Sequence, residues 1–149
     1  MSAEIDLKIT DAEWEIMRVV WAQENVTSKE IIEVLQQKKD WKPATTKTFI
    51  GRLVNKGMLN TKTEGRRYIY SSKINEEKVI KNALHEQFNN ICSRDVGNTI
   101  AYLLSNATLS FRDVENLEAI LKEKKKHAVE EVACNCIPGQ CRCQDHHCP

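Results

Sequence analysis

Five of the six cysteines fall in the stretch CNCIPGQCRCQDHHCP, at Cys134, Cys136, Cys141, Cys143 and Cys148. The first four form a doubled pattern, C-x-C-x4-C-x-C. Residues two apart in an extended chain point the same way, so each C-x-C pair presents two sulfurs to one point. Pro138-Gly139 supplies the turn that folds the second pair onto the first. Four thiolates then converge as they do around Zn(II), at about 2.3 Å each. The same all-sulfur set favours Cu(I), a soft ion.

Three readings of this stretch compete. A structural zinc knuckle is disfavoured because almost no apolar residues surround the thiols. A disulfide cluster is disfavoured in a reducing compartment. A metal-sensing or metal-storing site fits the spacing best. His146, His147 and Cys148 lie outside the symmetric motif, and two roles stand level for them: additional metal donors or plain solvated tail. Cys92, far upstream, is expected to be a small buried hydrophobe and not a ligand.

The rest of the chain must position those thiols. Of 149 residues, 41% are hydrophobic and 29% charged, the proportions of a soluble globular protein of one or two small domains. No apolar run reaches membrane-spanning length, so no membrane partner is expected. The start, MSAEIDLKIT, lacks the basic and apolar regions of a secretory signal. The expected location is cytoplasmic, with reduced thiols.

Thr10 to Glu13 reads as a capping box opening a helix to about Gln23. Asn25-Val26-Thr27 reads as a linker, with Ser28 capping a second helix. Pro43 suits the first turn of a third helix over about 43–56, with Phe49, Ile50, Leu53, Val54 and the Thr46 methyl inward and Gly57 as its stop. MLNTKT and RRYIYSS, joined through Glu64-Gly65, read as a hairpin. Asn75 opens a fourth helix to about Ile91. A shorter helix covers about 96–104, and Ser110 caps the last one, which ends in a basic stretch to Lys126. Trp14, Trp21 and Trp41 belong at the core or its edge.

The expected fold class is mainly α with a small β-hairpin. It comprises a winged helix-turn-helix at residues 6–73, a helical dimerisation region at 74–127 and a Cys-rich metal-binding tail at 128–149. A few amphipathic helices of this size can complete their core by pairing with a copy of themselves, which predicts a homodimer.

Net charge is only +1, yet between Lys38 and Lys73 ten basic residues face two acidic ones. So focused a field suits a polyanion. On the third helix Thr45, Thr48 and Arg52 share the outer face, bordered by Lys42, Lys47, Gly51 and Asn55. The hairpin adds Lys62, Arg66 and Arg67. The DNA-contact candidates are therefore Lys42, Thr45, Lys47, Thr48, Arg52, Arg66 and Arg67, with double-stranded operator DNA as partner; the bland alternative is a solvated basic face. No phosphate-cradling glycine loop, Ser-His-Asp set or carboxylate pair is present, so no enzyme is expected.

The stretch DWKPATTKTFIGRLVNKGML, with GRRYIY after it, resembles the BlaI/MecI-type winged-helix repressors, over about residues 6–126. CNCIPGQCRC is similar to the tail of the CopY-type copper-responsive branch. The resemblance implies a homodimer that binds a palindromic operator in its zinc form. It further implies that Cu(I), donated by a small copper chaperone, displaces zinc at Cys134, Cys136, Cys141 and Cys143 and releases the DNA. Two departures stand out. GNTIAYLLSNATLSF lacks the Asn-Phe bond at which the β-lactam-sensing relatives are cleaved. Thr46 occupies a place where an aliphatic residue is usual. Rival readings are a repressor responding to zinc, silver or cadmium, and a copper-buffering protein.

Overall fold

The computed structural model describes residues 7–143. The expected domain start at residue 6 and the donors His146, His147 and Cys148 lie outside the described residues. The chain divides into two compact units between Leu84 and His85.

The first unit holds α1 (Asp11–Gln23), β1 (Val26–Thr27), α2 (Ser28–Gln36), α3 (Pro43–Asn55), β2 (Leu59–Glu64) and β3 (Arg67–Ser72). It is a winged helix. Three helices pack around Ile16, Met17, Val20, Ile31, Leu35, Ile50 and Leu53, all buried, and Met58 and Leu59 close the core from the wing side. Thr46 is buried in α3, as its inward placement required. Phe49 and Val54 are half-buried and pack against the core edge.

The sheet contains one strand more than the sequence suggested. Val26 and Thr27, read as linker, pair antiparallel with Tyr70 and Ile69, giving the order β1-β3-β2. Two residues are too few for an alternating pattern to reveal a strand. Thr27, not Ser28, caps α2: its Oγ1 accepts from Glu30 N–H at 3.2 Å, and its own N–H donates to Glu30 Oε2 at 2.8 Å. Starting the helix one residue earlier lets Thr27 end a strand and open a helix at once.

At α1, Thr10 Oγ1 accepts from Glu13 N–H at 3.2 Å. The reciprocal half of the expected capping box is not what holds the Glu13 carboxylate. That group turns inward, 1% exposed, to an ion pair with Lys56 at 2.8 Å. Its Oε1 also takes a hydrogen bond from Lys56 at 3.0 Å, whereas Oε2 carries the ion pair without a directional bond of its own. Lys56 Nζ donates in addition to the Lys8 carbonyl at 3.0 Å. The C-terminus of α3 is thereby fastened to the start of α1. Gly57, at φ 80°, follows in the left-handed conformation that ends α3.

The three tryptophans sit at the core edge. Trp21 Nε1 donates to Ser72 Oγ and the Ile74 carbonyl, and its ring meets Trp14 edge-on at 5.9 Å.

After the wing come α4 (Glu76–Asn89), a 3-10 turn (Ser93–Asp95), α5 (Val96–Asn106) and α6 (Phe111–Lys126). Asn75 Oδ1 accepts from Lys78 N–H at 2.8 Å, opening α4 as expected. Ser110 and Asp113 form a complete capping box on α6, and the backbone N–H of Ser110 holds the Asp113 carboxyl below its ordinary value. No residue of α5 or α6 is buried. Their apolar stripes lie open: Leu103 is 50% exposed, Phe111 92% and Ile120 57%. Among the described residues no helix is long and apolar enough to cross a membrane.

Candidate DNA-binding face and thiol cluster

Burying Thr46, Ile50 and Leu53 sends the opposite side of α3 outward. Lys42, Thr45, Lys47, Thr48 and Arg52 are all exposed there. Thr48 Oγ1 donates back to the Ala44 carbonyl at 3.0 Å, which leaves its oxygen able to accept a further hydrogen bond. Arg52 is propped in place. Its guanidinium carbon lies 5.6 Å from the centre of the Phe49 ring, and that ring packs on Trp41 at 5.0 Å. A cation on an aromatic face is held electrostatically, so the half-burial of Phe49 has a purpose beyond the core. Sequence periodicity placed Phe49 inward and missed this support.

At the wing, Glu64 pairs with Arg67, so the loop is Gly65-Arg66. Gly65 has φ 65°, the sign a two-residue hairpin turn demands at its first position. Arg66 is thus at the tip and Arg67 begins the return strand, both exposed. Two of the ten basic residues between 38 and 73 are spent internally. Lys56 serves Glu13, and Lys38 meets Glu15 at 2.9 Å, which lowers the Glu15 carboxyl pKa through that hydrogen bond. The free positive field is correspondingly narrower and is centred on α3 and the wing tip.

The thiols converge in the second unit. Ile137 to Gln140 form a turn closed by Gln140 N–H to the Ile137 carbonyl at 3.1 Å, with Gly139 at φ 93°. Cys134 Sγ and Cys141 Sγ, one from each C-x-C pair, lie 3.5 Å apart. Cys134 Sγ also accepts the Cys136 N–H at 3.3 Å. Cys134, Cys136 and Cys141 form one three-sulfur group; Cys92, Cys134 and Cys143 form another, each with sulfurs within 4.8 Å of one another. Cys134 belongs to both and is the buried member.

Cys92 is the correction here. It is half-buried, not a core hydrophobe, and its Sγ lies 3.6 Å from Cys134 and 3.8 Å from Cys143. Forty-two residues separate it from Cys134, and no local spacing pattern reaches that far.

The donor set fits a thiophilic ion. A tetrahedral centre with bonds of about 2.3 Å places its sulfurs roughly 3.8 Å apart, close to the separations observed. Proximity also works against ionisation of the bare thiols. Burial, then hydrogen bonding to Cys134 and Cys92, pushes Cys136 up to about 12. The hydrogen bond to Cys141, then burial, does the same to Cys143, also to about 12. A cation among them removes the reason for holding those protons, because metal ligation requires the thiolate.

Fold and exposed basic face together are those of a winged-helix protein. The penicillinase repressor family matches residues 9–123, and the chain belongs to that family. It is 32% identical to the penicillinase repressor of Bacillus licheniformis over 83% of this chain and 96% of the relative. An uncharacterised 16.5 kDa protein of Latilactobacillus sakei is 43% identical over 95% of this chain and 97% of its own length. The methicillin resistance regulatory protein MecI of Staphylococcus aureus is 29% identical over 78% of this chain and 95% of the relative. Among solved structures, the DNA-binding domain of the repressor BlaI is 38% identical over 49% of this chain and 88% of that one, with a TM-score of 0.46. A CopR repressor structure is 38% identical over 46% of this chain and 99% of that one, with a TM-score of 0.40.

Proposed function

We propose that this protein is a copper-sensing repressor of a copper-homeostasis operon, acting in the cytoplasm. Residues 6–73 bind DNA, 74–127 form a homodimer and 128–149 carry the metal site. In the zinc form the dimer holds a palindromic operator. Cu(I), passed on by a small copper chaperone, takes the place of zinc at Cys134, Cys136, Cys141 and Cys143, and the DNA is released. The observation that carries this reading is the 3.5 Å approach of Cys134 and Cys141 across the Pro138-Gly139 turn, in a chain of a repressor family. The β-lactam-sensing relatives' cleavable bond is absent here, and the thiol cluster supplies another input.

The exposed stripes of α5 and α6 support the dimer, since a second copy would cover them. Two-fold symmetry then sets the recognition helices about 34 Å apart, one turn of DNA. Lys42, Thr45, Lys47, Thr48 and Arg52 meet the major groove, and Arg66 and Arg67 reach the flanking backbone. The test is operator affinity at one salt concentration for zinc-loaded and Cu(I)-loaded protein. Going from almost fully bound to almost fully released takes about 5.5 kcal/mol of differential binding, so the two affinities should differ by several orders of magnitude. Equal affinities would overturn the reading.

Gly51 provides a separate check on the DNA face. A Cβ added there meets nothing within 4 Å. Gly51→Ala should therefore stabilise the free protein by up to about 1 kcal/mol, through helix propensity. Operator affinity should fall, because the methyl occupies space the DNA backbone needs. Thermal unfolding and a gel-shift titration read the two effects. A variant that is stabilised and binds DNA unchanged places the duplex elsewhere.

A further inference from the structure

The segment joining α4 to α5 does more than connect helices. Ser93 N–H donates to Asn135 Oδ1 at 2.9 Å, and Ser93 Oγ donates to the Ala133 carbonyl. Arg94 Nη2 stands 3.8 Å from Glu131. The tail is thus pinned along residues 131–135 to the start of the 3-10 turn. Cys92, immediately before that turn, is delivered to the sulfur cluster by the same contacts. Its distances of 3.6 Å to Cys134 and 3.8 Å to Cys143 match the spacing of sulfurs around one ion, and they are far too long for a disulfide, whose sulfurs lie about 2.05 Å apart. The doubled C-x-C motif therefore does not exhaust the donor set.

We infer that Cys92 is a fifth thiolate ligand of the tail's metal centre, forming with Cys134 and Cys143 a second three-sulfur group that overlaps the first at Cys134. This rests on the metal-sensing reading above and deepens it. The chemical class of ligand is a thiophilic d10 ion, Zn(II) or Cu(I). Two groups sharing one sulfur suit ions that accept bridging thiolates, and Cys92 makes the helical unit part of the coordination sphere. A change of ion then pulls directly on the α4–α5 junction, inside the unit whose apolar stripes await a second copy. Without Cys92 the sulfur centre would reach that junction only through the hydrogen bonds of Ser93 and the Arg94–Glu131 pair.

The experiment uses the full reduced chain in three forms: metal-free, loaded with Zn(II), and loaded with Cu(I). Each is treated with a thiol-alkylating reagent, and labelling is read cysteine by cysteine by peptide mass spectrometry. Cys92 should be protected together with the tail cysteines in at least one metal arm and labelled in the metal-free chain. Cys92→Ser should also weaken that metal in a chelator competition by about tenfold or more, the scale on which ligand-shell changes act; protection by mere crowding leaves affinity unchanged. Tail cysteines protected with Cys92 labelled in both arms overturns the inference while leaving the sensor reading intact. Labelling of every cysteine in both arms overturns the sensor reading as well. Because labelling is done on the unaltered chain, a variant that folds poorly does not decide the matter.

Discussion

Cys134→Ser is expected to lower the affinity of the chain for Zn(II) by roughly 100-fold, about 3 kcal/mol, or near a quarter of the binding energy of a four-thiolate site. Three features single this residue out among the four described tail cysteines. It is the one that both three-sulfur groups share. It is the buried one, so a replacement oxygen is not compensated by water. It accepts the Cys136 N–H, which orients the first C-x-C pair. Cys136→Ser and Cys143→Ser each remove a donor from a single group and should cost less. Competition against a chromophoric chelator ranks the three variants. Equal losses would mean that the sulfurs contribute as an unstructured set, and the shared position of Cys134 would carry no weight. On the proposed sensor reading the same ranking should appear in metal-dependent operator binding, because any effect of the ion passes through the sulfurs that would hold it.

What the sequence revealed and what it concealed follow the range of the forces involved. Helix starts at Thr10, Asn75 and Ser110 were legible because a cap is a contact over three residues. The approach of Cys134 to Cys141 was legible for the same reason, two residues of extended chain and then a Pro-Gly turn, whereas the grouping of Cys143 apart from Cys141 and with Cys92 was not. Cys92 was not, since its partners lie 42 and 51 residues away and only the folded tail brings them together. Glu13 shows a subtler failure. Its spacing from Thr10 satisfies a capping box, but a carboxylate offered a half-buried lysine finds a stronger partner there than a backbone N–H. Val26 and Thr27 were hidden because β1 exists only by pairing with β3, far along the chain. The outer face of α3 was readable from helical periodicity, whereas the aromatic support under Arg52 depends on Trp41, which lies outside the helix.

The Glu13–Lys56 pair underlies the second large effect. Lys56→Met should destabilise the winged unit by about 3 kcal/mol, the lower end of the range for breaking a buried ion pair. Methionine keeps the apolar stem of the side chain and removes only the charge. The Glu13 carboxylate is then left 1% exposed with the Thr10 hydroxyl, 3.1 Å away, as its remaining side-chain donor. The lower end applies because the Lys56 side chain is itself 24% exposed, so some of its charge is already solvated. A domain of this size loses roughly 4–8 °C per kcal/mol, so the melting temperature should fall by more than about 10 °C. Adding Glu13→Gln should restore much of the loss, since a neutral amide does not need the ammonium; the double-mutant cycle isolates the pair from packing. An unchanged melting temperature in Lys56→Met would show that the carboxylate finds water instead. The consequence for DNA binding is specific. Lys56 sits just past the C-terminus of α3 and ties it to the first turn of α1, so losing the tie loosens the recognition helix at one end. Operator affinity in Lys56→Met should therefore fall even at temperatures where the unit is still folded, although Lys56 is committed to Glu13 and the Lys8 carbonyl.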